Sequence, residues 1–157
     1  MTAEFIQALL VIATVGAGLM AGLFFVFSNT VMPAFDRLPA ANAIMAMQRI
    51  NELILNPLFF IVFFGTGVVC IAFILFAAAR QDRSSALFMI AGAVIYLVGS
   101  IGVTIARNVP LNSQLARMAG YEQDLGGQWK NYRGPWTRWN HVRTAACAIA
   151  AGLFALA

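Results

Sequence analysis

The sequence is poor in charged residues, histidine and cysteine. Only 10% of its 157 residues are charged, and it holds one histidine and two cysteines. A soluble domain of this size carries about a quarter charged residues and cannot bury so large an apolar fraction, 61%, in a single core. The shortage of charge therefore excludes an ordinary soluble domain. It indicates one integral membrane domain with lipid around much of the chain.

The same shortages limit the chemistry of any site. Bis-histidine haem ligation is excluded because His141 is the only histidine. A zinc or non-haem iron site needs two or more imidazoles or thiolates with a carboxylate, which this chain does not supply. Cys70 and Cys147 each lie within an apolar run, where a thiol is usually a small apolar filler. We therefore expect no metal and no cofactor.

Four long apolar segments qualify as membrane-spanning helices. About 20 residues suffice to cross the hydrocarbon core of a bilayer. The fourth segment reaches that length only if it begins at Pro135, a residue typical of a first helical turn. The sequence thus predicts an all-α bundle of four transmembrane helices, with spans at residues 5–27, 53–79, 85–106 and 135–157.

The connections between the predicted helices differ in character. Residues 40–50 are expected to form a short interfacial helix after the first span, because Ile44 and Met47 share one side. Residues 80–84 are expected to form a tight polar turn, which would make helices two and three antiparallel neighbours. Residues 107–134 form a longer polar connection between helices three and four.

The cations of the chain are typical of lipid-headgroup anchors rather than of a nucleic-acid surface. All ten Lys and Arg residues lie outside the middles of the apolar runs. Most of them lie on the side of the larger loops. The positive-inside rule therefore predicts that the larger loops are cytoplasmic.

Small residues recur at four-residue steps on the predicted helices. Ala13, Ala17 and Ala21 form one such series, and Ala148 and Gly152 form another. Such residues let membrane helices approach closely. Close packing of the helices within a compact bundle explains these small residues. Contact between two copies of the chain in a homo-oligomer would explain them as well.

Polar residues gather at one end of the predicted bundle, on the side of the larger loops. Polar groups at membrane depth are costly and usually face an interior cavity. All four helices contribute to this end, which makes it the candidate functional site. Its polar, charged and tryptophan residues are Ser28, Asn29, Gln48, Asn51, Glu52, Asn56, Arg107, Asn108, Asn112, Trp136, Arg138, Trp139, Asn140, His141 and Arg143.

Several of these residues also have purely structural explanations. Trp136 and Trp139 are typical of an interfacial aromatic belt, and Asn29 and Asn108 of helix caps. His141 is equally typical of a hydrogen-bonded structural histidine.

Arg143 is the deepest cation in this group, and it cannot be neutralised. It therefore needs a partner. The partner is either Glu52 or Asp36 in a structural ion pair, or a bound substrate.

Four sequence blocks resemble a known family. In order, they are Phe24–Asn29 followed by Met32-Pro33, Met45–Asn51 running to Asn56-Pro57, Asn108–Asn112, and Trp136-x-x-Trp139-Asn140-His141-x-Arg143. Together they resemble the anthrone oxygenase-like family of small four-helix integral membrane proteins, much of which is catalogued as a domain of unknown function. Some fungal members are implicated in oxidising anthrones to anthraquinones, whereas most bacterial members have no assigned reaction. This sequence resembles the bacterial type, which implies a bacterial cytoplasmic membrane.

The resemblance implies an oxidoreductase that handles an apolar aromatic or quinone-like substrate. An anthrone carbanion reacts with oxygen without a metal, so the protein needs a base, donors for an oxyanion and aromatic walls. Under this hypothesis His141 is the base, and Asn140, Asn112 or Arg143 stabilises the oxyanion. His141, Asn140 and Arg143 form the catalytic group, and Trp136 and Trp139 flank a flat substrate. The substrate-binding residues are Trp136, Trp139, Asn108, Asn112, Asn29, Gln48, Asn51 and Asn56.

A rival hypothesis belongs to a different class. It is a non-catalytic membrane protein that binds a lipid or quinone, or that serves as a partner subunit. Both hypotheses involve the lipid bilayer and an apolar small-molecule ligand, and neither involves nucleic acid. Transport is disfavoured because polar residues at mid-membrane are few.

Overall fold

The computed structural model describes residues 3–77, 83–118 and 124–157. These residues are helical almost throughout and include no strand, which confirms the all-α prediction. Three π-helical segments, Phe27–Val31, Leu97–Gly102 and Thr104–Asn108, interrupt otherwise α-helical rods. The α-helices are α1 (Ala3–Val26), α2 (Met32–Phe35), α3 (Ala40–Leu53), α4 (Pro57–Ala77), α5 (Arg83–Tyr96), α6 (Val109–Ala116) and α7 (Leu125–Ala155).

Three helical rods of the described chain are long and apolar enough to cross a membrane. They are Glu4–Phe35, Pro57–Phe76 and Arg83–Ala116. The first joins α1 to α2, and the third joins α5 to α6, through the π-helical segments. This composition indicates a membrane protein. The more polar α7 does not meet the same criterion, so its crossing remains a prediction.

The long helices pack side by side. α4 lies against α1 and α5, and α7 lies against α1 and α5 on the other side. Ala13 and Ala17 of α1 are fully buried. A Cβ atom on Gly99 would lie only 2.5 Å from the Cβ of Ala146, which shows how closely the rod after α5 approaches α7. Other small residues face outward, among them Gly18, Gly22 and Gly152.

Two hydrophobic clusters organise the interior. The first lies among α1, α4, α5 and α7 and includes Phe63, Tyr96 and Phe154. Its polar groups are satisfied internally, for example by the Tyr96 hydroxyl, which donates to the Phe63 carbonyl at 2.9 Å. The second cluster lies among α2, α3, α6 and the first half of α7 and includes Met47 and Trp129. The candidate site lies where these clusters meet.

Two helices, α7 and α4, begin four or more residues away from their predicted starts at 135 and 53. α7 begins ten residues before Pro135, because its first turns bury Trp129 and Tyr132 in the second cluster. Asp124 caps it, with Oδ1 accepting from the Gly127 N–H at 3.0 Å. The predicted polar connection 107–134 is therefore helical over most of its described residues.

α4 begins at Pro57, later than the predicted residue 53. Asn56 caps it, since its Oδ1 accepts from the Phe59 N–H at 3.0 Å. The predicted short helix at 40–50 is present as α3, with Ile44 and Met47 buried on one side. The predicted tight turn at residues 80–84 lies mostly outside the described residues.

Candidate functional site

A cavity of about 490 Å³ lies at the junction of the two hydrophobic clusters. Its volume is within the range of small-molecule sites. Aromatic side chains of Phe24, Phe27, Phe59 and Trp136 form part of its wall. The remaining lining residues are Leu23, Met47, Gln48, Ile50, Asn51, Glu52, Ile54, Leu55, Thr104, Val109, Asn112, Ser113, Ala116 and Arg143.

The cavity has an enclosed end and an open end. At the enclosed end, Phe24, Met47 and Trp136 expose 4% or less of their surface. At the open end, which we call the mouth, Leu55 and Val109 are 63% and 47% exposed. A ligand that fills the cavity therefore has one end inside the protein and the other at its apolar surface.

Arg143 supplies a buried positive charge at the enclosed end. It is 6% exposed, and its guanidinium donates to Thr104 Oγ1 at 3.2 Å and to Asn140 Oδ1 at 2.6 Å. Its Cζ lies 4.2 Å from the centroid of the Phe24 ring and 5.3 Å from that of Trp136. The electron-rich faces of these rings attract a cation electrostatically.

The carboxylates predicted as partners of Arg143 pair with other arginines. Asp36 Oδ2 lies 2.9 Å from Arg133 Nη1, and Glu52 Oε2 lies 2.7 Å from Arg49 Nη1. No carboxylate of the described residues forms an ion pair with Arg143. Its Nε is also buried without a hydrogen-bond partner in that part of the chain. The cavity therefore presents an uncompensated positive charge to its contents.

Asn140 holds the Arg143 guanidinium in place and does not line the cavity. Its Nδ2 donates to the Phe24 carbonyl at 2.6 Å and to Ser28 Oγ at 2.5 Å. These two donations fix the orientation of the amide, so that Oδ1 faces Arg143. Asn140 is completely buried, and this network ties α1 to α7.

Asn112 supplies a second donor to the cavity. Its Oδ1 accepts from the Tyr132 hydroxyl at 3.0 Å and from Trp136 Nε1 at 2.9 Å. The Nδ2 group must then lie on the other side of the amide. Burial raises the pKa of Tyr132, so its hydroxyl stays protonated and keeps donating at neutral pH.

The π-helical segments lie next to this network. Phe27 and Ser28 belong to the first segment, and Thr104 belongs to the third. A π-helical turn adds a residue to the turn and is frequent at functional sites. Here it brings Ser28 to Asn140 and Thr104 to Arg143.

The structure brings together about half of the predicted site residues. Gln48, Asn51, Asn112, Trp136 and Arg143 line the cavity. Gln48 is held by donation from Nε2 to the carbonyls of Leu115 and Met118, which leaves its Oε1 as an acceptor. Asn140 and Asn108 are buried behind the cavity wall, where Asn108 Nδ2 donates to the Trp136 carbonyl at 3.3 Å.

Four predicted site residues lie elsewhere. His141 and Asn29 are exposed and do not line the cavity. Trp139 is half-buried beneath Arg107, whose Cζ lies 4.9 Å from its ring centroid. Asn56 is the exposed cap of α4.

Some lining residues were not predicted as site residues. Thr104 Oγ1 accepts a hydrogen bond from the guanidinium of Arg143. The rings of Phe24, Phe27 and Phe59 form part of the aromatic wall of the cavity. The signal in the sequence was weak, since apolar residues of a spanning helix look alike before the packing is known. Within residues 3–77, 83–118 and 124–157, no group of three or more His, Cys, Asp or Glu side chains is arranged to hold a metal ion.

The sequence was compared with models of known protein families. The family model of anthrone oxygenase matches residues 59–153, which is more than half of the chain. The chain belongs to the anthrone oxygenase family. No curated protein gives a significant match, and no solved structure does either. The match includes the Asn108–Asn112 and Trp136–Arg143 blocks, and therefore the charged end of the cavity in this anthrone oxygenase family member.

Proposed function

We propose that the protein is a membrane oxidoreductase that oxidises an apolar aromatic substrate, of the anthrone type, in the cavity. The single observation that carries this proposal is the buried, uncompensated guanidinium of Arg143 at the enclosed end of an aromatic-walled cavity. Membership of the anthrone oxygenase family supports the same class of reaction.

The proposed reaction consumes one oxygen molecule for each anthrone. The methylene carbon opposite the carbonyl loses a proton, and the resulting negative charge spreads to the carbonyl oxygen. The carbanion then attacks dioxygen and takes up a proton, which gives a hydroperoxide. Loss of water from the hydroperoxide gives the quinone. One oxygen atom enters the product and the other leaves as water, so no further reductant or oxidant is needed.

Arg143 and Asn112 have the chemistry that this reaction requires. A fixed cation and an amide N–H, both at the cavity wall, stabilise negative charge on the substrate oxygen. Phe24, Phe59 and Trp136 offer flat surfaces to the rings. We give His141 no role because it is exposed away from the cavity. Glu52, at the mouth, is the lining carboxylate that can accept the proton.

A second candidate function is binding without catalysis, to a lipid or quinone. The observation that favours it is the lack of a histidine or carboxylate among the buried lining residues. The same cavity and the same cation would then hold a polar headgroup. A measurement of substrate turnover distinguishes the two candidate functions, because only the enzyme converts its bound ligand.

We also propose that α7 completes a four-helix transmembrane bundle. Its second half packs beside α1 and α5 and buries Cys147 and Phe154 in the first cluster, which supports a similar depth in the membrane. A location in the bacterial cytoplasmic membrane rests on the resemblance to the bacterial type of the family, and the distribution of Lys and Arg favours cytoplasmic larger loops. The outward small residues Gly18, Gly22 and Gly152 are where we would look for a homo-oligomer contact.

Oxygen uptake by the purified protein in detergent, with anthrone as substrate, tests the proposed reaction. We expect one oxygen molecule consumed for each quinone formed. Replacement of Ala116 by tryptophan should reduce turnover several-fold, because Ala116 is an exposed residue at the mouth and a bulky ring there blocks entry. The matched control is Arg117→Trp, next to it and outside the cavity lining, which should retain the wild-type rate.

Three outcomes would contradict the proposal in whole or in part. Absence of any turnover with anthrones or hydroquinones, while the ligand still binds, would favour the binding function. Equal loss of turnover in both tryptophan variants would argue against entry at this mouth. Stoichiometric iron or copper in the active sample would contradict a cofactor-free reaction.

A further inference from the structure

The enclosed end of the cavity offers donors to a ligand oxygen. The guanidinium of Arg143 is positively charged, and two of its N–H groups are used by Thr104 and Asn140. Because the guanidinium has five N–H groups, it can bond a ligand as well. The Nδ2 group of Asn112 is a further donor, since its Oδ1 is occupied by Tyr132 and Trp136.

These two donors are held by the same indole. Trp136 donates from Nε1 to Asn112, and the face of its ring lies 5.3 Å from the Arg143 Cζ. Trp136 is itself 4% exposed, so its position is fixed by packing. Arg143 and Asn112 therefore belong to one rigid wall of the cavity.

No other group of the wall cancels this positive charge. The titratable side chains that interact with Arg143 are Tyr132 and Cys147. Neither is a carboxylate. The Tyr132 hydroxyl donates to Asn112, Cys147 Sγ lies 3.2 Å from Ser100 Oγ, and a phenol and a thiol ordinarily carry no charge at neutral pH. The lining residues from α1 and α6 carry no charge.

The remaining charges near the cavity lie at its mouth or outside it. Glu52 lies at the mouth, is 64% exposed and is paired with Arg49. Arg107, from the rod that carries Thr104, is exposed and lies over Trp139. Water screens exposed charges such as these much more strongly than it screens a buried one. The field at the enclosed end is therefore positive.

We propose that the cavity binds its aromatic ligand as an oxygen anion, a phenolate or enolate, with the charged oxygen at the enclosed end and the apolar remainder toward the mouth. This inference rests on the proposed function for the aromatic class of the ligand. It concerns binding alone and can be tested without turnover.

The mouth is consistent with this orientation. Leu55 and Val109 are exposed there, and neighbouring Leu53 and Leu58 are 69% and 72% exposed. Such a patch of large apolar residues on a membrane protein faces lipid acyl chains or other apolar groups. The apolar part of an amphiphile fits the mouth, while its anion is neutralised inside.

The orientation has a chemical consequence. A positive charge close to a weak acid stabilises the ionised form and lowers the acid's pKa. An anthrone that ionises in this way becomes the enolate that reacts with oxygen. Ionisation then needs no buried base, which accounts for a reactive site without a histidine in its lining.

The probe for this inference is 4-nitro-1-naphthol, an aromatic weak acid whose ionised form absorbs visible light. Its apparent pKa is measured by absorbance titration, free and bound to the full-length protein in detergent. We expect binding to lower that pKa by at least one unit, which means at least tenfold tighter binding of the anion than of the neutral form. The methyl ether of the probe cannot ionise, and it should bind more weakly than the anion.

Two variants and a control assign the effect to the proposed groups. Arg143→Met should remove the pKa shift while the ether still binds. Asn112→Asp keeps an oxygen acceptor for Tyr132 and Trp136 but places negative charge in the wall, so it should abolish or reverse the shift. Arg107→Met removes an exposed cation at the same end of the protein and should leave the shift intact.

An unshifted or raised pKa in the wild-type protein would overturn the inference. The same conclusion follows if Arg143→Met and Asn112→Asp both keep the full shift, or if the anion does not bind saturably. These results are independent of oxygen uptake. A protein that binds the anion without oxidising anthrone would contradict the proposed function and keep this inference.

Discussion

Replacement of Arg143 by methionine is expected to lower the rate of oxygen uptake with anthrone by about 10²–10³-fold, the typical cost of losing a preorganised oxyanion donor. The guanidinium is the buried charge of the cavity and has no carboxylate partner among the described residues. Methionine retains a flexible apolar side chain that can pack against Phe24 and Trp136. The loss is expected mainly in kcat, because anthrone enters the cavity neutral and ionises there, so that the charge acts on the oxyanion as it develops.

The matched control for this variant is Arg138→Met. Arg138 lies on the same helix, α7, but is exposed. The same substitution at this position removes a cation without touching the cavity, so turnover should stay within about twofold of the wild-type rate, as for a surface change. If both variants lose activity equally, or if Arg143→Met keeps the wild-type kcat, Arg143 does not have the proposed role.

Replacement of Asn140 by leucine is expected to destabilise the protein by about 2–4 kcal/mol. Asn140 is completely buried and makes three hydrogen bonds of 2.5–2.6 Å, to Phe24, Ser28 and Arg143. Leucine has a similar volume but no polar atoms. The substitution therefore leaves a buried guanidinium and a buried hydroxyl without these partners.

Unfolding in a single detergent, followed by circular dichroism, measures this effect. Asn131→Leu is the matched control, because Asn131 lies on α7 and is exposed. A surface substitution of this kind should change stability by no more than about 0.5 kcal/mol. Similar midpoints for wild type and Asn140→Leu would show that the network does not tie α1 to α7.

The helices and the polar end of the protein could be predicted because their signals are local. Long apolar runs and the clustered polar blocks are visible in the sequence without packing information. Helical spacing was a better guide to which side chains face the interior than the chemical type of the residues was. Trp136, Asn140 and Arg143 are separated by four and three residues and share the buried face of α7.

The catalytic role of His141 is a prediction from motif chemistry and stays a prediction, while the structure gives the position of its side chain. His141 directly follows Asn140, and adjacent residues on a helix point about 100° apart. If Asn140 faces the interior, His141 cannot face it fully as well, and the structure has it exposed. The chemistry of the imidazole favoured a catalytic role, whereas the geometry of the helix places the side chain elsewhere.

Other features could not be predicted from local pattern. The π-helical segments shift the helical register, and this brings Ser28 and Thr104 to the network. The pairing of Asp36 with Arg133 connects residues about a hundred positions apart, so it depends on the whole fold. The early start of α7 follows from burial of Trp129 and Tyr132, which becomes visible only with the second cluster.

An experimental structure of the protein with bound 4-nitro-1-naphtholate would test the central claim most directly. The account predicts the ring within the cavity against Trp136 and Phe59, with the naphtholate oxygen in contact with Arg143 and Asn112. A ring bound outside this cavity would contradict the account. So would a ring inside it with its oxygen at the mouth beside Leu55.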